Sequence, residues 1–190
     1  MRAFIAIELP EDIRKALAQL QNRLKSCGAD VKWVEPNNIH LTLKFLGEID
    51  DTQFNKITSI LQNFLASANS FSAVISSIGA FPNINSPKVI WIGIDKGDNE
   101  VKVIAKSLEN EIKNVGIAME DKSFSSHITI ARIRSTLNLG KLVKELKILE
   151  SDFSLQVRGF DVTKITLFKS SLTPKGPIYE ILKEVALKTT

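Results

Sequence analysis

The feature that most constrains the fold is a self-similarity at one fixed spacing. The segment Phe4-Ile5-Ala6-Ile7-Glu8 maps onto Trp91-Ile92-Gly93-Ile94-Asp95 at an offset of 87 residues. The same offset carries His40-Leu41-Thr42-Leu43 onto His127-Ile128-Thr129-Ile130. Fixed-offset repetition marks duplicated architecture, in which each unit cannot bury its apolar face alone. Two units of 87 nearly fill the 190 residues. The chain is therefore expected to be a single domain over 1–190 with two internal units, approximately 1–86 and 87–190. Two such lobes would stand about a pseudo-two-fold axis, with both histidine segments facing one cleft.

Composition narrows the class without naming a chemistry. Hydrophobic residues make up 44% of the chain and charged residues 24%, which suits a globular core with a solvated surface. There is no apolar run long enough to span a bilayer. The stretch Ala3 to Ile7 is broken by Glu8 and Pro10, too soon for a signal-peptide core, so the expected compartment is the cytoplasm. A single Cys27 excludes an internal disulfide and any cysteine-rich metal site. Two histidines without companion ligands make a poor zinc set, and no metal or cofactor is expected. The net charge of +4 is compatible with an anionic partner such as RNA or a nucleotide. A monomer without membrane association is expected.

Periodicity places these motifs on elements. Arg2 to Leu9 reads as a buried strand. Pro10-Glu11-Asp12 opens a helix whose stripe is Ile13, Leu17, Leu20 and Leu24, with Gly28 as a stop. Val31 to Val34 reads as a short strand, and Glu35 to Asn38 as a turn into the first histidine strand, which Gly47 ends. Asp50 or Asp51 caps a second helix carrying Phe54, Ile57, Leu61, Phe64 and Leu65. Phe71 to Ala80 is a strand, and Phe81 to Pro87 joins the halves. The order then repeats: a strand over Val89 to Asp95, a helix capped by Asp98 or Asn99, and the His127 strand. A helix over Leu139 to Leu149 and a strand over Phe153 to Val162 follow. The tail adds a strand over Lys164 to Phe168, a turn, and an alternating stretch from Tyr179 to Leu187. Strands without intervening helices argue for α+β with largely antiparallel sheets, flanked by helices around a central cleft.

The only two histidines of the chain open matched strands. Side chains alternate faces along a strand, so His40 shares a face with Thr42, and His127 with Thr129. The intervening aliphatics, Leu41, Leu43, Ile128 and Ile130, go to the core. Histidine is the side chain best suited to proton transfer near neutral pH, and a matched pair suggests one acid and one base across a shared substrate. Lys44 shares parity with His40 and is expected to line the cleft. Arg132 is a candidate phosphate fork, although parity puts it on the face opposite His127 unless a bulge intervenes. Phe45, Phe124 and Trp91 are expected in the core, and Lys88, Arg134, Lys164 and Lys169 as general surface charge.

Two His-x-Thr-x motifs with aliphatic x, in a duplicated chain of this length, resemble the 2H phosphoesterase superfamily. The closer resemblance is to the RNA 2′,3′-cyclic phosphodiesterase branch, historically called 2′-5′ RNA ligase. Trp33-Val34-Glu35-Pro36 and Asn38 to Gly47 resemble its first motif, and Ser126 to Arg132 its second. Arg2 to Pro10, Gly79 to Pro82, Pro87 to Gly93, Lys164 to Leu172 and Gly176 to Glu180 resemble its remaining segments. The resemblance implies a bilobal fold with a basic cleft and metal-free hydrolysis of a 2′,3′-cyclic phosphate to the 2′-phosphate. It implies His40 as proton donor, His127 as proton acceptor, and Thr42 and Thr129 as phosphate contacts. Ligation in reverse at the same site, or another small cyclic phosphate as substrate, fits the same residues. The absence of a Gly-x-x-x-x-Gly-Lys-Ser/Thr loop argues against ATP-driven ligation.

Overall fold

Apolar residues recur at every second position in some segments and every third or fourth in others, and the fold sorts these periods into two sheets and four helices. A computed structural model describes residues 1–119, 123–153, 158–174 and 176–189. The strands are β1 (Arg2–Glu8), β2 (Val31–Trp33), β3 (His40–Glu48), β4 (Phe71–Phe81), β5 (Val89–Ile94), β6 (His127–Ile133), β7 (Arg158–Val162), β8 (Lys164–Thr173) and β9 (Gly176–Ala186). The helices are α1 (Glu11–Lys25), α2 (Asp51–Leu65), α3 (Asp98–Ile112) and α4 (Leu139–Ser151). No helix among the described residues is long and apolar enough to cross a membrane.

The first sheet has the order β3-β1-β8-β9 and the second β2-β6-β5-β4-β7. Every ladder is antiparallel. The α+β class with two antiparallel sheets is the one expected from the pattern of elements. The run β3-β1-β8 in one sheet answers β6-β5-β4 in the other. The sheets do not coincide with the sequence halves, because β4 joins the second sheet while β8 and β9 complete the first. The helices cross over as well. Helix α1 follows β1 of the first sheet, yet it bonds to the second through Gln21. Helix α3 follows β5 of the second sheet, yet it packs on β3 of the first. One continuous apolar core, including Ile5, Leu41, Ile92, Ile128 and Leu167, lies between sheets and helices.

Local chemistry sets the helix ends. Asp50 caps α2 in a reciprocal pair with Gln53, which satisfies two backbone donors at once. Helix α3 starts differently from expectation. Gly97, at φ +86°, precedes it, and Asp98 is its first residue instead of its cap. The Asp98 carboxylate accepts from Lys102 and from Ser126, beside His127, and is thereby held below its usual carboxylate pKa against the opposing effect of burial. Of the strand expected over Phe153 to Val162, the part Arg158–Val162 is β7, and residues 154–157 lie outside the described residues. Strand β8 runs on to Thr173, so the expected tail turn is the tip of a β8–β9 hairpin, closed by Thr173 Oγ1 donating to the Gly176 carbonyl.

Candidate active site

The two histidine strands, β3 and β6, pack against one another where the sheets meet. His40 is fixed by its Nδ1, which donates to the Asn38 carbonyl at 2.8 Å. His127 is fixed in the same way, with Nδ1 donating to the Ser125 carbonyl at 2.8 Å. Asn38 and Ser125 are themselves 87 residues apart, so the bond is a property of the repeat. A carbonyl accepts only, so it selects the Nδ1–H tautomer and leaves Nε2 as the basic nitrogen of each neutral ring. At His40 that nitrogen accepts from the Thr42 hydroxyl at 2.9 Å.

Each ring also rests on aromatic surface. His40 lies over Phe4, centroids 4.8 Å apart, and meets Tyr179 edge-on at 5.4 Å. Phe4, Ala6 and Phe168 form a small buried cluster beneath it, with Tyr179 packed against them. Burial in this bed pushes the His40 imidazole below the usual histidine range, partly opposed by the bond to Asn38. His127 meets Phe81 edge-on at 5.1 Å. Trp91 packs tilted against Phe81, with centroids 5.3 Å apart, and its ring covers Gly79, where an added Cβ would approach it to 2.3 Å. A glycine is required there.

A matched pair of bulges decides what else faces the cleft. In β3 the pairing jumps from Ala6↔Thr42 to Ile5↔Lys44, which leaves Leu43 as the extra residue. In β6 it jumps from Trp91↔Thr129 to Ile90↔Ala131, which leaves Ile130 as the extra residue. Leu43 and Ile130 are 87 apart. A bulge of one residue reverses the alternation beyond it. Arg132 is therefore carried onto the face of His127 and Thr129, and it lines the cavity. The same reversal corrects two expectations. Lys44 does not line the cleft. It is 4% exposed and turned toward α3, where Nζ meets Glu109 at 2.7 Å and donates to the Ala118 carbonyl at 2.9 Å. Phe45 is not in the core. It is 56% exposed and lines the cavity at the position equivalent to Arg132.

The cavity encloses about 650 Å³ and is bordered by His40, Thr42, Phe45, Thr129, Arg132 and Tyr179. His127 lies on the same face of β6 as Thr129, but unlike His40 it is not among the residues that line the cavity. Burial raises the Tyr179 hydroxyl above its usual pKa, while the guanidinium groups of Arg132 and Arg2 act in the opposite sense. Arg132 on the second sheet thus lies within electrostatic reach of Tyr179 on the first. Among the described residues there is no cluster of three or more His, Cys, Asp or Glu side chains that could hold a metal ion.

Three contributors escaped the sequence reading. The bed of Phe4, Phe168 and Tyr179 was legible in principle, because Arg2, Phe4 and Ala6 alternate with the core-facing Ala3, Ile5 and Ile7. The backbone carbonyls of Asn38 and Ser125 carry no residue-type signal. Gln21 of α1 looks like a surface polar residue on a helix, yet it is 1% exposed.

This geometry has counterparts in known proteins. The chain is 37% identical to an RNA 2′,3′-cyclic phosphodiesterase of Methanocaldococcus jannaschii, over 97% of this chain and 99% of that one. It is 34% identical to a protein of the same name from Thermotoga maritima, over 97% and 94%. The crystal structure of TT0787 of Thermus thermophilus superposes with a TM-score of 0.79 at 27% identity, covering 98% of both chains. That of Escherichia coli LigT complexed with NADP+ superposes with a TM-score of 0.77 at 25% identity, covering 98% and 96%. The pattern of the family described as LigT like Phosphoesterase matches twice, over residues 7–91 and 92–179, and the chain belongs to that family.

Proposed function

We propose that this protein hydrolyses RNA or nucleoside 2′,3′-cyclic phosphates to the 2′-phosphate by two-histidine acid–base catalysis. The observation that carries the reading is the equivalence of His40 and His127. Each has Nδ1 tied to a carbonyl, Nε2 as its working nitrogen and a threonine on the same strand face. The reaction forms a bond from water oxygen to phosphorus and breaks the bond from phosphorus to O3′. The neutral His127 Nε2 accepts the proton of the attacking water. The His40 imidazolium donates from Nε2 to the departing O3′. Each such transfer contributes typically about 10²–10⁴-fold. A proton acceptor on one strand and a proton donor on the other suit an in-line displacement, in which water enters and O3′ leaves on opposite sides of phosphorus.

Thr42, Thr129 and Arg132 hold the non-bridging oxygens. In the free protein the Thr42 hydroxyl donates to the nitrogen that His40 must protonate for catalysis. Substrate therefore exchanges one bond for two. The hydroxyl turns to a phosphate oxygen, and Nε2 takes up a proton favoured by the adjacent anion. The Arg132 guanidinium supplies a planar pair of donors for a phosphate.

The test is incubation of chelator-treated protein with a nucleoside 2′,3′-cyclic phosphate, followed by chromatography against 2′- and 3′-phosphate standards. Accumulation of the 2′-phosphate, undiminished by EDTA, is the expected result. Accumulation of the 3′-phosphate would assign the leaving group wrongly, and loss of turnover in EDTA would overturn the metal-free mechanism.

A further inference from the structure

The charge of the cavity wall exceeds what one cyclic phosphate requires. Its lining contains Arg2, Lys25, Lys32, Arg132 and Arg134, against Glu35 as the single acid. That excess of four equals the net charge of the whole chain, +4, so the charges everywhere else cancel. None of the five cations is ion-paired with another of the described residues. Lys15, Lys102, Lys164 and Lys169 each face a carboxylate, whereas other lysines without an ion pair among the described residues, such as Lys56, Lys106 and Lys147, lie outside the cavity, so what marks the five cations is that they share one wall.

The surplus is also directional. Lys32 pairs across the ladder with Arg132, so both side chains leave the same face of the sheet. Arg134 follows two residues after Arg132, with its backbone tied to Asp30 beside β2. Lys25, at the end of α1, stands over the ring of Trp33 at 5.8 Å from its centroid. These groups form a basic path from Arg132 across β2, the edge strand of the second sheet. An edge strand is open to solvent on its outer side, so a chain can leave the cleft there. Arg134, expected as general surface charge, lines the cavity.

We propose that the strand upstream of the cyclic phosphate leaves the cleft across the β2 edge, its phosphates lying over Lys32, Arg134 and Lys25. The proposal rests on the phosphodiesterase reading and adds to it an exit subsite for the strand. A positively charged groove following the backbone is the usual way to bind a single strand without reading its sequence. Each phosphate neutralised releases counterions, so binding gains a salt dependence of about −0.7 in log–log slope per contact. A mononucleotide ends before this path and lacks that contribution.

The experiment compares kcat/KM for a nucleoside 2′,3′-cyclic phosphate and for an oligoribonucleotide with the same cyclic end, over a series of KCl concentrations. The expected result is a steeper salt slope for the oligoribonucleotide. Lys32→Ala and Arg134→Ala should each flatten that slope by about 0.7 and lower kcat/KM for the oligoribonucleotide more than for the mononucleotide. Lys56→Ala, on the distant α2, controls for net charge and should leave both slopes alone. Equal slopes for the two substrates, or an equal effect of Lys56→Ala, would overturn the proposal. If neither substrate turns over, the phosphodiesterase reading itself fails. Binding of a fluorescent oligoribonucleotide over the same salt series then still decides whether the path exists.

Discussion

His40 and His127 share a tautomer but not an environment. The aromatic bed lowers the pKa of His40, and this has a signed consequence for pH dependence. A proton donor must be protonated, and its protonated fraction falls as pH rises through its pKa. The His40 imidazole of the free protein is therefore expected to titrate below the ordinary histidine value of about 6.5, as read by NMR. A bound phosphate anion favours the imidazolium, so the same titration with inorganic phosphate present lies at higher pH. A His40 pKa above 6.5 in the free protein, or one lowered by phosphate, would overturn this account of its environment. His40→Ala and His127→Ala should each lower kcat by about 10²–10⁴-fold, with the far-UV spectrum unchanged. A variant near the wild-type rate would remove that histidine from the mechanism.

At the scale of elements, the paired bulges do what strict alternation could not. They keep His and Thr on the cleft face, give two successive residues to the core, and return Phe45 and Arg132 to the cleft. The bulge in β6 is stitched from behind by α1. Gln21 Nε2 donates to Val34 O at 2.8 Å and to Ile130 O at 2.9 Å, the latter being the carbonyl of the extra residue. Gln21→Leu keeps the volume and deletes both bonds. Its expected cost is about 1–3 kcal/mol of stability, read from denaturant midpoints. The bulge would then no longer fix Arg132, so KM for the cyclic phosphate rises more than kcat falls. Gln21→Leu and Arg132→Ala should be non-additive in kcat/KM. Additive effects would show that Gln21 serves stability alone. In β3 the corresponding space is taken by the Lys44–Glu109 pair, where removal of Glu109 would take the carboxylate from the buried Lys44 ammonium.

At the scale of the molecule, each sheet borrows strands from the other half of the sequence, and each of α1 and α3 packs on the sheet its preceding strand does not belong to. Neither half can complete a sheet alone. The full chain should therefore unfold in one cooperative transition, coincident by far-UV circular dichroism and tryptophan fluorescence. Fragments 1–86 and 87–190, prepared separately, should lack that transition and regain it on mixing. A fragment that folds cooperatively by itself would show the repeat units to be autonomous. The exchange also bears on function, because it ties the strands carrying His40 and His127 into one core, where the relative position of two proton-transfer groups is held by packing.

Much of this was legible from residue order. Periods of two and 3.6, caps such as Asp50, and the repeat of 87 are local or self-referential signals, and they yielded the elements, the α+β class and the matched His and Thr positions. Arg132 and Lys44 mark where that reading stopped. Parity assigned each a face, and a one-residue bulge in each strand reversed both assignments. A bulge depends on which residue of a neighbouring strand lies opposite, and on partners such as Gln21, 109 residues from Ile130. The aromatic bed under His40 draws on β1, β8 and β9, from opposite ends of the chain. Sequence by itself determined which side chains repeat and which periods they follow. Only the tertiary structure decided which of them meet, because register and strand exchange are set by long-range pairing that no local pattern encodes.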